Sequence, residues 1–260
     1  MRRLFPVTDE TADRGGGPPP GDREWDPVEI AGAYAYPEGP GTWLRANMVS
    51  SLDGAAQHEG RSEALSCKAD MRIFGALRGI ADAVVVGAET VRREDYRPAR
   101  ARQVFAPLRA ARGQGPAPVI AVVSASLDLD FGRPLFTEAP VPTLLLTGAG
   151  APAERIAAAE AAGVEVVIAG QAVGVDPRRM VAELARRGLT RLLTEGGPRL
   201  LGQLVAADVL DELCLTLAPV LTAGDAQRIG GGPSMEVPKR FTLASVIEEA
   251  GFLFTRYRRT

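Results

Sequence analysis

The sequence predicts an α/β fold with a mainly parallel central sheet covered on both faces. Short continuous apolar runs that end in Gly or Ser, namely ADAVVVG, PVIAVVS and PTLLLTG, have the form of strands buried on both sides. Stretches with helical periodicity and helix start or stop signals lie between such runs, so strand and helix alternate. The end of the chain differs. DELCLTLAPVL and GFLFTRYRR are extended β-type stretches joined by a Gly/Pro-rich linker without a helix, which predicts an antiparallel addition at the sheet edge.

Taken in order, residues 1–27 contain DETADRGGGPPPGDREWD (9–26), too rich in Gly, Pro and charge to bury much apolar surface. They are read as a flexible arm, and VEIAGAYAYP (28–37) as a short helix docked on the body. The arm and this helix occupy 1–40, and one domain spans 41–260. TWLRANMVS is a strand and SLDGAAQHEGRSEALS the loop after it. CKADMRIFGALRG is a helix with Met71, Phe74 and Leu77 at apolar spacing and Ser66 as N-cap. ADAVVVG is a strand followed by the loop GAETVRRED. PVIAVVS and PTLLLTG are strands, APAERIAAAEAAG is a helix closed by Gly163, and VEVVIAG is a strand. DPRRMVAELARRG has Asp176 as cap, Pro177 at the first helical position and Gly188 at its end. TRLLTE is a strand and PRLLGQLVAAD a helix.

Composition narrows the function. The chain has 260 residues, 46% hydrophobic and 24% charged, which suffices for a sizeable core, and its net charge of −2 gives no support for nucleic-acid or membrane-surface binding. Cys67 and Cys214 lie far apart and form no CxxC pair, so neither a disulfide framework nor a zinc site is expected; Cys67 is read as a plain buried thiol, with a reactive thiol at a helix start as the alternative. His58 is the only histidine, which excludes multi-histidine metal sites. The opening MRRLFPVTDE turns polar at once, unlike a signal peptide, and no apolar run approaches the roughly 18 residues of a membrane span. A soluble cytoplasmic protein is expected.

In open α/β sheets, ligands sit beyond the carboxyl ends of the strands. Three loops occupy such positions: GAETVRRED (87–95), SAS (124–126) and EGGPR (195–199). The third places a carboxylate, Glu195, between apolar strand residues and two glycines. Gly196 and Gly197 let a ligand approach the backbone, Pro198 suits a first helical turn, and the helix beyond offers free N–H groups to a pyrophosphate. A simple tight strand-to-helix turn is the plain alternative. Neither GxGxxG nor GxxxxGK[ST] is present. Residues 92–112 carry seven arginines against Glu94 and Asp95, which fits a phosphate-bearing ligand and a solvated loop equally.

RANMVSSLDG, GIADAVVVGAETV, LLTEGGPRLL and DELCLTLAPVL occur in an order and spacing that resemble the reductase domain of riboflavin biosynthesis, over about residues 42–258. That family shares a fold with dihydrofolate reductase, so the resemblance implies a dihydrofolate-reductase-like three-layer sandwich. It further implies NADPH as hydride donor, a 5-amino-6-(5-phosphoribosylamino)uracil-like substrate whose ribose is reduced to a ribityl chain, and a homodimer. Thr90 and the backbone of Gly196, Gly197, Pro198 and Arg199 match cofactor contacts, and Glu94 is assigned to the same side. Ser124 matches the stretch near the adenosine ribose and its 2′-phosphate. Ser62 and Arg78 match substrate contacts. Glu195 matches an acid that reaches the substrate, and Asp53 of SLDG an acid across the cleft; both are candidate proton donors if burial raises their pKa.

Two departures stand out. The family follows GAGTV with D-D-P-x-L-T-x-R, which helps hold the substrate phosphate, whereas here the chain reads VRREDYRPAR, with Glu94 at the first acid position and Tyr96 in place of proline. Nothing matches the His-x-Glu and Pro-Cys-x-x-Cys of the zinc deaminase domain that bifunctional relatives carry. Reduction of a dihydrofolate-type, pterin-like or other heterocycle, and NADPH binding without turnover, remain as alternative readings.

Overall fold

The computed structural model describes residues 1–6 and 23–260. In chain order the elements are β1 (Arg2–Phe5), α1 (Pro27–Ala33), β2 (Trp43–Ser50), α2 (Lys68–Ile80), β3 (Ala83–Gly87), α3 (Ala88–Arg93), α4 (Ala106–Ala111), β4 (Val119–Val123) and α5 (Pro134–Thr137). There follow β5 (Leu144–Thr147), α6 (Ala153–Ala161), β6 (Glu165–Ile168), α7 (Pro177–Arg186), β7 (Arg191–Thr194), α8 (Pro198–Ala206), β8 (Glu212–Leu217), β9 (Phe241–Glu249) and β10 (Phe252–Arg259). The strands form one ten-stranded sheet in the order β1-β9-β10-β8-β2-β7-β3-β4-β5-β6. From β8 to β6 every pairing is parallel; β8–β10, β10–β9 and β9–β1 are antiparallel.

Alternation along β3 shows why the sheet needs two covers. Val84 and Val86 join an apolar cluster with Ile73, Leu77 and Ile80 of α2, while Ala83 and Val85 join another with Met180 and Leu184 of α7 and Leu200 and Leu204 of α8. The result is helix, sheet and helix in three layers, as expected for the α/β reading.

Several local expectations are corrected. α2 is capped by Cys67, whose sulfur accepts from the Asp70 amide at 3.4 Å, and Ser66 instead donates to Asp70 Oδ2 at 2.6 Å. Its buried stripe is Ala69, Ile73, Ala76, Leu77 and Ile80, so Met71 is left 54% exposed. The loop GAETVRRED contains the short helix α3, and β9 occupies part of what reads as a linker. Residues 2–5, expected in the arm, pair antiparallel with β9, and Met1, Ile30 and Tyr34 pack into the same cluster as the sheet. Residues 7–22, the rest of that arm, lie outside the described residues.

The α1 helix is fastened by buried charge. Asp26 caps it through a capping box with Glu29. At its other end Arg45 Nη1 donates to Tyr34 O at 2.7 Å, and Arg256 Nη1 donates to Ala33 O. Both cations converge on Glu212, which is 0% exposed. Arg256 Nε donates to Glu212 Oε1 at 3.0 Å; Arg45 Nε lies 2.7 Å from the same oxygen, at an angle that makes a charge contact but no hydrogen bond. Burial alone would push this carboxyl up, but the charges of Arg45 and Arg256 outweigh burial and bring it down to about 2.

Candidate active site

β2, β7 and β3 lie side by side and parallel, so their carboxyl ends meet at one rim. The rim is tied together by backbone: the Gly87 amide donates to Gly196 O at 3.0 Å and the Glu195 amide to Val85 O at 3.3 Å. Beside it opens a cleft of about 820 Å³, lined by residues of β2, α2, α3 and the start of α8. Such a volume suits a large ligand or two ligands held together.

The double-glycine corner forms one end of this cleft. Gly196 has φ +89°, the left-handed region, and a side chain there would also meet Met48 Cε at 3.2 Å. A Cβ on Gly197 would lie 2.9 Å from Thr90 Oγ1. Gly197 is the N-cap of α8 and supplies no side-chain acceptor, Pro198 has no N–H, and no acid occupies the first turn. The start of α8 thus presents uncapped amides and a positive dipole end to the cleft, with Arg199 beside them, and this donor set fits a diphosphate.

Next to this corner, Arg78 at the end of α2 meets Glu195 at the end of β7. Arg78 Nε donates to Glu195 Oε1 and Nη2 to Oε2, each at 2.6 Å, a bidentate pair with side chains only 21% and 7% exposed. Tyr96 completes the group: its hydroxyl accepts from Arg78 Nη2 at 2.6 Å and donates to Glu195 Oε2. The guanidinium also lies 4.4 Å from the Phe74 ring centre and 5.1 Å from that of Tyr96. Burial first, and then the Glu195 charge, push the Tyr96 hydroxyl well above its ordinary pKa, so it stays a protonated donor.

The residues singled out in the sequence fall into two groups. Thr90, Glu94, Gly197, Pro198, Arg199, Ser62, Arg78 and Glu195 all line the cleft, whereas Gly196, between two of them in sequence, is buried and not part of the lining. Asp53 and Ser124 are not among the lining residues. Asp53 instead pins the loop at Thr222 and Ala223, accepting from Ser51 Oγ at 2.5 Å, Thr222 N at 3.2 Å and Ala223 N at 2.7 Å. The Ser51 hydroxyl and then these amides hold its carboxyl down to about 2, the reverse of what a proton donor at neutral pH requires. Ser124 is 4% exposed and its hydroxyl caps the turn that follows, accepting from Leu127 N at 3.0 Å. Neither the acid role expected of Asp53 nor the ribose-phosphate contact expected of Ser124 matches this geometry.

Cys67 is a cap on the cleft wall rather than a buried core thiol. Of the arginine-rich segment, Arg93 and Arg97 line the cleft, whereas Arg109 is buried and donates to Gly79 O, Ala81 O and Gly115 O. Tyr96 and Asp70 were missed as cleft residues. The signal for Tyr96 was its place in the departure from D-D-P-x-L-T-x-R; for Asp70, which accepts from Ser66 Oγ and Thr216 Oγ1 at the cleft floor, no sequence signal exists. Among the described residues no group of three His, Cys, Asp or Glu side chains could hold a metal, and no helix is long and apolar enough to cross a membrane.

A model of the RibD C-terminal domain family matches residues 42–249. The 2,5-diamino-6-ribosylamino-4(3H)-pyrimidinone 5′-phosphate reductase of Archaeoglobus fulgidus is 29% identical over 220 residues, covering 84% of this chain and 99% of that protein. The protein of the same name from Methanothermobacter thermautotrophicus is 31% identical over 191 residues, covering 73% and 84%. Among solved structures, a pyrimidine reductase-like protein from Corynebacterium diphtheriae superposes with a TM-score of 0.76 at 29% identity, covering 84% of this chain and 92% of that one. The riboflavin biosynthesis reductase of Saccharomyces cerevisiae shares the fold at 15% identity and a TM-score of 0.61.

Proposed function

The chain belongs to the RibD C-terminal domain family, and from that premise we propose that it is an NADPH-dependent reductase of riboflavin biosynthesis acting on a ribosylamino-pyrimidine 5′-phosphate. The observation that carries this reading is that one cleft is lined both by an uncapped helix start behind two glycines and by a polar cluster built from Arg78, Glu195 and Tyr96. Relatives bearing a pyrimidinone 5′-phosphate reductase name over most of the chain support the substrate class.

When bound, the nicotinamide cofactor supplies the hydride that converts the ribose to a ribityl chain. The chain's own residues do the rest. Gly197, Pro198 and Arg199 would receive the diphosphate, with Thr90 closing over the corner. Phe74, Arg78, Tyr96 and Glu195 would orient the second ligand against its reacting carbon, and Ser62 lies on the same lining. Three of the four lone-pair directions of Glu195 are taken by Arg78 and Tyr96, so this carboxylate positions rather than protonates. With Asp53 elsewhere, the proton that accompanies the hydride comes from solvent. By the same family resemblance the protein acts as a homodimer in the cytoplasm.

NADPH titration followed by nucleotide fluorescence tests the cofactor site, and failure to saturate at about millimolar cofactor refutes it. NADPH oxidation with the ribosylamino-pyrimidine phosphate, run beside dihydrofolate, tests the substrate. The second assay matters because Tyr96 and its neighbours replace the family's phosphate-holding stretch, which favours another heterocycle as the runner-up reading.

A further inference from the structure

Arg78 is a cleft-lining cation whose charge and most of whose N–H groups are already engaged within the protein. Of its five N–H groups, the one on Nε and both on Nη2 are committed, two to Glu195 and one to the Tyr96 hydroxyl. Its charge is matched by a carboxylate 2.6 Å away, and the Phe74 and Tyr96 ring centres lie 4.4 Å and 5.1 Å from the guanidinium. The Tyr96 oxygen therefore stands on Arg78 Nη2 where a ligand's oxygen would otherwise bind. Without that hydroxyl, one N–H of a poorly solvated guanidinium would lack an acceptor, a costly state that an anionic ligand would relieve.

We propose that Tyr96 is a specificity-determining residue: it holds Arg78 and Glu195 as a closed, neutral unit, so this wall receives an uncharged hydrogen-bonding part of the second ligand and turns its phosphate to the cleft mouth. Two N–H groups on Arg78 Nη1 and one lone pair on Glu195 Oε1 remain. That combination of donors and an acceptor complements a pyrimidinone edge or sugar hydroxyls. At the mouth, Arg93 and Arg97 also line the cleft, with side chains 56% and 59% exposed. Their partners, Glu89 and Asp95, are themselves about half exposed, and surface pairs of this kind are weak enough for a phosphate to displace. This inference rests on the reductase reading for the identity of the second ligand.

The experiment compares the ribosylamino-pyrimidine 5′-phosphate with its dephosphorylated riboside, by calorimetric binding to the NADPH-saturated protein and by NADPH oxidation. The quantity read is the ratio of the two dissociation constants, the phosphate preference, with melting temperature as a control. Tyr96→Phe keeps the ring on Arg78 and removes only the hydroxyl, and is expected to raise the preference about tenfold, the worth of one charge-assisted hydrogen bond. Arg93→Gln combined with Arg97→Gln is expected to lower it by a similar factor, through weaker binding of the phosphate form alone. A purely structural Tyr96 would lower the melting temperature of the Phe variant without moving the ratio, and that result overturns the proposal. So does an unmoved ratio in the double arginine variant. Turnover with an unmoved preference counts against Tyr96 and not against the reductase; a preference that shifts as expected without turnover of either compound counts against the reductase and not against Tyr96.

Discussion

Replacing Glu212 with Gln probes the charge cluster that fastens α1 to the sheet. The substitution keeps the side chain's size and leaves Arg45, 0% exposed, and Arg256, 6% exposed, without their shared counter-charge. Removing one member of such a buried group costs roughly 3–5 kcal/mol, because the remaining charges stay desolvated. For a domain of this size, that corresponds to a fall in Tm of about 10 °C. The lowered carboxyl pKa expresses the same interaction. The carboxyl falls from 4.5 to about 2 in the folded protein, and a gap of that size amounts to about 3 kcal/mol. Since the folded pKa is the lower one, the contribution is complete above about pH 5 and is lost as pH falls towards 2. Urea unfolding at several pH values, on the wild type and Glu212→Gln, measures both numbers. The wild type should lose stability more steeply than the variant between pH 5 and 3, and the two curves should converge in acid. A variant within about 1 kcal/mol of wild type at pH 7, or two parallel pH curves, would refute the account of Glu212 as the counter-charge.

Gly197→Val should weaken NADPH binding by about tenfold to a hundredfold with little change in Tm, because its backbone (φ −63°) tolerates a side chain while the Cβ intrudes towards Thr90; fluorescence titration reads the effect. Gly202→Ala should cost about 1–3 kcal/mol in urea unfolding, since its Cβ would lie 1.9 Å from Gly231 O. It should also weaken cofactor binding, because the Gly231 amide holds Pro198 O at 2.9 Å and the start of α8 must shift. Asp53→Asn should change kcat by far less than the roughly hundredfold that loss of a general acid brings, and should leave the pH–rate profile between 5 and 8 in place; a collapse of kcat would restore Asp53 to the chemistry.

How much of this was legible in the chain depends on whether the information was local. The apolar runs of β3, β4 and β5 and the cap, proline and glycine signals around α7 sufficed for those elements, because burial on both faces and helix ends leave marks within a few residues. The register of α2 was read from Met71, Phe74 and Leu77, but Phe74 and Met71 face the cleft, so ligand-facing apolar residues imitated a core stripe. β9 alternates only loosely and lies among Gly and Pro; its strand state comes from pairing with β10 and β1, partners that a local window does not contain. The double-glycine corner was visible as a motif. The pairing of Arg78 with Glu195, 117 residues apart, and the tie that Tyr96 makes to both were not, because Arg78 and Glu195 taken singly each read as a ligand contact.

The two margins of the sheet bear on how copies of the protein can meet. β6 at one margin is four residues long and carries Glu165 bound to Arg187; β1 at the other is equally short and begins with two arginines, one of them tied to Glu248. Abbreviated, charged borders give a foreign strand little to hydrogen-bond against. Assembly by splicing sheets end to end is thereby disfavoured, and any stable pairing of subunits is to be sought through the broad faces or the loop rim.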